Sequence, residues 1–136
     1  MTDDRVKPLL LDTSALRAIG QVQWLSTLLN QAHFRPDRPV LAPVVCLAYA
    51  GRDRPHLIKH VGQLPAVSVI PFDFGDALSY EEWRAGQGWQ KPDLDVAHAA
   101  SAALPGPEYP GGAAIITDSP QLYLAWPEIK TRRLES

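Results

Sequence analysis

Cysteine is almost absent from the sequence, which has Cys46 alone in 136 residues. A single cysteine excludes an internal disulfide framework and a zinc site made only of cysteines, and it suits a reduced compartment. No apolar run approaches the roughly 18 residues of a membrane span. The first residues, MTDDRVKPLLLDT, lack the cationic start and long apolar region of a signal peptide. We therefore expect a cytoplasmic protein with no membrane association.

The sequence also lacks a large excess of charge of either sign. It has 13 Lys and Arg residues and 15 Asp and Glu residues, which gives a net charge of −2. This balance argues against a protein that binds nucleic acid mainly through its phosphates. It leaves room for an enzyme that has a local basic patch or a bound cation. Proline, with 13 residues, is above its usual share of about 5%, so we expect short elements joined by stiff connections.

Short apolar strands alternate with helical segments along the chain. Such alternation predicts one domain over residues 1–136, with an α/β fold, a mostly parallel sheet and helices on both faces. The predicted strands cover residues 6–11, 40–42, 67–70 and 113–116, with a last strand or tail at 129–134. The first predicted helix follows a cap at Asp12, Thr13 or Ser14, runs through Leu16 and Ile19, and ends at Gly20. The other predicted helices cover residues 21–33, 44–51, 56–63, 76–86, 95–103 and 120–124.

Three aspartates lie at similar points of this predicted sheet. Asp12 ends the first strand, Asp118 follows the strand at 113–116, and Asp95 opens a helix. Ligand sites in parallel sheets lie off the carboxyl ends of the strands. Carboxylates that are crowded there repel one another unless they are protonated or share a cation. Their oxygens suit Mg²⁺ or Mn²⁺, which can activate water and stabilise the charge that develops on a phosphodiester.

Each aspartate also has a purely structural interpretation. Asp12 precedes Thr13 and Ser14 and can cap a helix. Asp95 can do the same for its own helix, and Asp118 can form a turn within 117-TDSP-120. The three together favour the functional interpretation, and the structural one stays open for each.

Three strings in the sequence resemble the motifs of PIN-domain proteins: 11-LDTSAL-16, 95-DVAHAASAA-103 and 115-IITDSPQLY-123. Their order and spacing resemble the VapC-type toxin ribonucleases of bacterial toxin–antitoxin pairs over nearly the whole chain. The resemblance implies a three-layer α/β/α sandwich and metal-dependent cleavage of single-stranded RNA. It assigns Asp12 and Asp95 as acids that bind Mg²⁺ or Mn²⁺, with Ser14 near the metal. It also implies an antitoxin partner and a homodimer.

The sequence departs from the family pattern at two places. In 46-CLAYA-50, Tyr49 stands where the family usually has a glutamate, and tyrosine is neutral at pH 7 and a poor ligand for Mg²⁺. The family often reads threonine, any residue, aspartate, whereas this chain reads Thr117, Asp118, Ser119. Either Asp118 reaches the site from a shifted register, or Ser119 takes the place of the acid. Nearby acids that could substitute are Asp53 and Asp93.

The sequence therefore predicts a metal-dependent endoribonuclease toxin with an incomplete acidic site and weak metal binding. The alternative is a catalytically degenerate PIN-fold module that binds RNA or a protein partner without cleavage. Arg52 and Arg54 either contact RNA phosphates at the mouth of the site or belong to a solvated loop. His98 is either a phosphate contact or a buried histidine with its hydrogen bonds satisfied.

Overall fold

A sheet of five parallel strands is the centre of the fold. The computed structural model describes residues 7–35, 39–86 and 93–134. The strands are β1 (Leu9–Leu11), β2 (Val40–Pro43), β3 (Val67–Ile70), β4 (Ala114–Thr117) and β5 (Lys130–Arg133). The helices are α1 (Thr13–Arg17), α2 (Gln23–Ala32), α3 (Val44–Asp53), α4 (Leu57–Gly62), α5 (Phe74–Gly86) and α6 (Leu94–Ala103), and a 3₁₀ helix covers Pro120–Tyr123.

The spatial order of the strands is β3-β2-β1-β4-β5, with β1 in the middle. Every residue of β1 and β2 is buried, whereas every residue of the edge strand β5 is exposed. When both faces of a parallel strand are covered, its successive residues are all apolar and do not alternate with polar ones. The predicted α/β class and parallel sheet are confirmed, and the segment at 129–134 contains a strand rather than a tail. No helix in the described ranges is long and apolar enough to cross a membrane.

The register between β1 and β4 positions the candidate site. Leu11 lies opposite Ile116, and the Asp12 N–H donates to the Ile116 carbonyl at 3.4 Å. Asp12 and Thr117 therefore end adjacent strands at the same edge of the sheet. In the sheet, β2, the next strand along the chain, lies on one side of β1, and β4 lies on the other side. The crevice beside such a switch point is where open α/β sheets bind their ligands.

Several helices begin one or two residues away from their predicted starts, and aspartates lie at the starts of α5 and α6. α5 begins at Phe74, two residues before Asp76, because Asp73 and Asp76 form a reciprocal cap. The Asp76 N–H donates to Asp73 Oδ1 at 2.9 Å, and the Asp73 N–H donates to Asp76 Oδ2 at 3.0 Å. α6 has Asp93 at its N-cap position, so Asp95 lies within the first helical turn and is not the N-cap residue.

Gly112 makes the turn that joins α6 to β4. Its φ is +74°, in the left-handed region that favours glycine, and its N–H donates to the Tyr109 carbonyl at 2.8 Å. The next residue, Ala113, donates to the Ala103 carbonyl at 2.9 Å. A Cβ on Gly112 would lie 2.5 Å from that carbonyl oxygen. The turn therefore requires glycine for both its backbone angle and its close approach to α6.

We expect Gly112→Ala to lower the free energy of unfolding by about 2 kcal/mol or more, since it combines backbone strain with a clash. Gly62→Ala is the matched control, because Gly62 ends α4 and a Cβ there meets nothing within 4 Å. The control should raise stability by about 0.5–1 kcal/mol. Urea unfolding measures both, and equal stability of the two variants would contradict this account of the turn.

Candidate active site

Asp12 lies at the carboxyl end of the central strand, and only 3% of it is exposed. Its side chain caps α1, with Oδ1 accepting from the Ala15 N–H at 3.1 Å and from the Ser14 hydroxyl at 2.7 Å. Oδ2 accepts from the Tyr123 hydroxyl at 2.8 Å. A buried carboxylate is costly unless it is hydrogen-bonded. Three donors offset that cost here.

Asp95 is the second acid of the site and is partly buried in the first turn of α6. Its Oδ2 accepts from the Thr13 hydroxyl at 2.5 Å, and its Oδ1 accepts from the Val96 N–H at 2.9 Å. A negative charge in the first turn is also favoured by the helix dipole. Because Thr13 directly follows Asp12, this hydrogen bond ties the start of α6 to the end of β1. We call Asp12 and Asp95 the acidic pair.

Cys46, on α3, lies against both members of the acidic pair. Its thiol donates to the Asp95 main-chain carbonyl at 3.2 Å. Burial raises the pKa of the Cys46 thiol, and the negative charges of Asp12 and Asp95 raise it further. The thiol is therefore neutral at pH 7 and adds no charge to the site.

Tyr123 brings a second neutral group to the acidic pair. It ends the 3₁₀ helix, and 3% of its surface is exposed. Burial raises the pKa of its hydroxyl, and the charge of Asp12 raises it further. The hydroxyl therefore stays protonated and acts as a donor to Asp12.

Asp118 is exposed, and its Oδ1 accepts from the Ser119 hydroxyl at 2.7 Å. Its backbone N–H donates to the Ser14 hydroxyl oxygen at 3.0 Å. Thr117 is fully buried and accepts from the Ser119 N–H at 3.0 Å, while its hydroxyl lies 3.5 Å from that of Ser14. The structure thus brings the predicted supporting residues Ser14, Thr117 and Ser119 into one hydrogen-bonded chain that links Asp118 to Asp12.

Tyr49 and the two predicted RNA-binding arginines lie further along α3 and just beyond it. The guanidinium of Arg52 stacks over the Tyr49 ring, 4.4 Å from its centroid. Arg54 donates to the carbonyls of Arg17 and Ile19 at 2.8 and 2.6 Å, so its guanidinium caps the end of α1. Cys46, earlier on the same helix, is the α3 residue whose hydrogen bond reaches Asp95.

The two remaining acids considered from the sequence are Asp53 and Asp93. Asp53 forms an ion pair with Arg17 at 2.8 Å. Asp93 is exposed at the N-cap position of α6, where its side chain makes no capping hydrogen bond.

Three contributors to the site were not assigned to it from the sequence: Thr13, Cys46 and Tyr123. Thr13 lies inside the first motif, and its position beside Asp12 was a usable signal. Cys46 lies three residues before Tyr49 on α3, and residues at this spacing share one face of a helix. Tyr123 meets a carboxylate 111 residues away in the sequence, and no local pattern indicates that contact.

The acidic pair has the donor set for a hard divalent cation. Asp12 Oδ1 accepts two hydrogen bonds, whereas Asp12 Oδ2 and both oxygens of Asp95 accept one each. A carboxylate oxygen has two lone pairs, so within residues 7–35, 39–86 and 93–134 each of the last three oxygens retains one. Mg²⁺ is often bound by one or two carboxylates together with waters. Within the part of the chain that the structure describes, no three His, Cys, Asp or Glu residues form a group that could hold a metal ion. Asp12 and Asp95 are the two carboxylates that would hold such a cation.

Solved structures of VapBC complexes share this fold. One matched chain comes from VapBC2 of Rickettsia felis bound to a DNA fragment of its promoter: the TM-score is 0.60 at 14% identity, with 94% of this chain and 99% of that chain covered. Another comes from DNA-bound VapBC of Salmonella typhimurium: the TM-score is 0.62 at 16% identity, with 93% and 98% covered. No family model and no curated protein matches the sequence. The chain therefore shares its fold with the matched chains of these VapBC complexes, which agrees with the resemblance of its motifs.

His98 is fully buried and serves as a structural link, not as a phosphate contact. The Val45 N–H donates to Nδ1 at 3.3 Å, which leaves Nε2 as the protonated nitrogen that donates to the Pro71 carbonyl at 3.0 Å. The ring also packs edge-on against Phe72. Burial lowers the pKa of His98, although the Pro71 carbonyl and the charge of Asp76 oppose that shift.

The pKa of His98 is lower in the folded chain than in the unfolded chain. Below about pH 6.5 the unfolded chain therefore binds more protons at this residue than the folded chain does. Stability should be fully present above that pH and should fall as the pH falls. This one group contributes at most about 1.4 kcal/mol per pH unit. We expect His98→Gln to lose less stability between pH 7.5 and 5.5 than the wild type does, as measured by urea unfolding. His56→Gln, at an exposed position, should keep the wild-type slope. An unchanged slope in His98→Gln would contradict the assignment.

Proposed function

We propose that the protein is a metal-dependent endoribonuclease that hydrolyses single-stranded RNA and acts as the toxin of a toxin–antitoxin pair. The observation that carries this proposal is the acidic pair, joined through Thr13 at the carboxyl edge of a parallel sheet. The crevice at that edge is the usual ligand site in such sheets. The motif resemblance and the shared fold support the same assignment.

Asp12 and Asp95 would hold Mg²⁺ or Mn²⁺, with the exposed Asp118 as an acid at the rim of the site. A bound cation of this kind supplies activated water and neutralises the charge that develops on the phosphodiester. The chain's own contribution is to orient the two carboxylates through hydroxyl donors. Ser14 holds Asp12 and Thr13 holds Asp95, at 2.7 and 2.5 Å. Thr117 and Ser119 steady the Ser14 hydroxyl from the adjacent strand end.

RNA binding would depend on local cations, because the chain as a whole carries a net charge of −2. Arg52 is the better candidate for a phosphate contact. Its guanidinium lies on the face of Tyr49 and keeps its N–H groups at an exposed position. Arg54 remains a second candidate, although its guanidinium already donates to two carbonyls.

The protein's partner would be an antitoxin protein, and the active form would be a homodimer in the cytoplasm. The antitoxin is supported by the matched structures, which are VapBC complexes. The dimer is supported by the motif resemblance alone.

A second candidate function is a PIN-fold module that binds RNA or a protein partner without cleaving RNA. The specific observation in its favour is that all four oxygens of the acidic pair already accept hydrogen bonds within the chain. Such a pair is stable without a cation. Retention of single-stranded RNA with no cleavage product, at millimolar Mg²⁺ or Mn²⁺, would favour this second function.

We expect Asp12→Asn to lower the rate of single-stranded RNA cleavage at least about 100-fold, since it removes a charged metal ligand. The amide oxygen can still accept at Oδ1, so the circular dichroism spectrum should match that of the wild type. Asp53→Asn is the matched control and should keep wild-type activity, because Asp53 pairs with Arg17 on the surface. Gel analysis of a labelled RNA measures both rates. Cleavage that survives in Asp12→Asn would count against the assignment.

A further inference from the structure

Tyr123 contacts Asp12 of the acidic pair, although it lies neither in α1, which Asp12 caps, nor in α6, which contains Asp95. It ends the 3₁₀ helix that follows β4, and its buried ring lies 6.4 Å from that of Trp126. Its hydroxyl donates to Asp12 Oδ2 at 2.8 Å. The ring is fixed by packing, so the hydroxyl is held in place against this one oxygen.

The oxygen that Tyr123 contacts is the one through which Asp12 would bind a cation. Oδ1 accepts from Ser14 and from the Ala15 N–H, which uses both of its lone pairs. Among the residues that the structure describes, Oδ2 accepts from Tyr123 alone. The hydroxyl therefore occupies one of the two lone pairs on the available oxygen and draws electron density from it.

We propose that Tyr123 is a positioning residue that acts through Asp12, keeping the carboxylate paired in the cation-free protein and limiting its affinity for a divalent cation. The inference rests on the proposed function, because the cation is the one that the acidic pair would hold. A buried carboxylate that loses a donor is poorly satisfied without a cation, and a bound cation compensates for that loss. Removing the hydroxyl while keeping the ring should therefore favour the bound state.

The first test is calorimetric titration of Mn²⁺ into the wild type and Tyr123→Phe. We expect the variant to bind about tenfold more tightly, which corresponds to about 1.4 kcal/mol. Tyr109→Phe is the matched control, because Tyr109 lies in the loop before β4 and interacts with Glu108 rather than with the acidic pair. The control should bind Mn²⁺ with wild-type affinity.

Urea unfolding with and without Mn²⁺ gives a second readout that does not depend on activity. Without Mn²⁺, Tyr123→Phe should unfold at a lower urea midpoint than the wild type. Saturating Mn²⁺ should raise the midpoint more in the variant than in the wild type, since a ligand stabilises the state that it binds. If the hydroxyl served packing alone, its removal would lower both midpoints and leave the gain from Mn²⁺ unchanged. That result would overturn the inference.

Equal or weaker Mn²⁺ binding by Tyr123→Phe overturns the inference, as does a lack of binding by both proteins. The ribonuclease proposal is judged separately, by RNA cleavage with wild-type protein. Tighter Mn²⁺ binding by the variant without cleavage by either protein supports the role of Tyr123 and contradicts the ribonuclease function. Cleavage by the wild type without tighter binding by the variant supports the function and contradicts the role of Tyr123.

Discussion

The buried carboxylate of Asp12 is the constraint on which the rest of the site depends. A charge at the end of a central strand must be met by donors, because the cost of leaving it unpaired is large compared with the net stability of a small domain. Those donors come from the first turn of α1 and from Tyr123, which follows β4. One side chain therefore fixes the direction in which the chain leaves β1 and the path that it takes after β4.

The second acid extends the same network. Asp95 accepts from Thr13, so α6 begins where β1 ends. The Cys46 thiol and the Tyr123 hydroxyl, two titratable groups beside the pair, are neutral at pH 7 because burial and the nearby carboxylates raise their pKa values. The negative charge offered to a cation thus comes from two carboxylates. A pair with so little charge and with its oxygens already hydrogen-bonded has the features of a weakly binding, finely balanced cation site.

The sequence predicted the fold better than it predicted the site. Apolar runs without alternation indicated the buried strands, and β3 has the predicted bounds. The position of Asp12 at a strand end followed from the same pattern. Asp118 lies at the same edge, where its N–H donates to the Ser14 hydroxyl, and it is exposed whereas Thr117 is buried. The Cys46 contact depends on the rotation of a helix, and the Tyr123 contact depends on tertiary packing. A local pattern encodes neither.

The central claim is that Asp12 and Asp95 bind one divalent cation between them. The most direct measurement is anomalous diffraction from crystals that are soaked in Mn²⁺. A cation held between the two side chains should give one peak within about 2.2 Å of Asp12 Oδ2 and of an Asp95 carboxylate oxygen, at the short distances typical of hard cations. A peak at other carboxylates, or no peak near this pair at saturating Mn²⁺, would contradict the claim and would leave Asp12 as a helix cap.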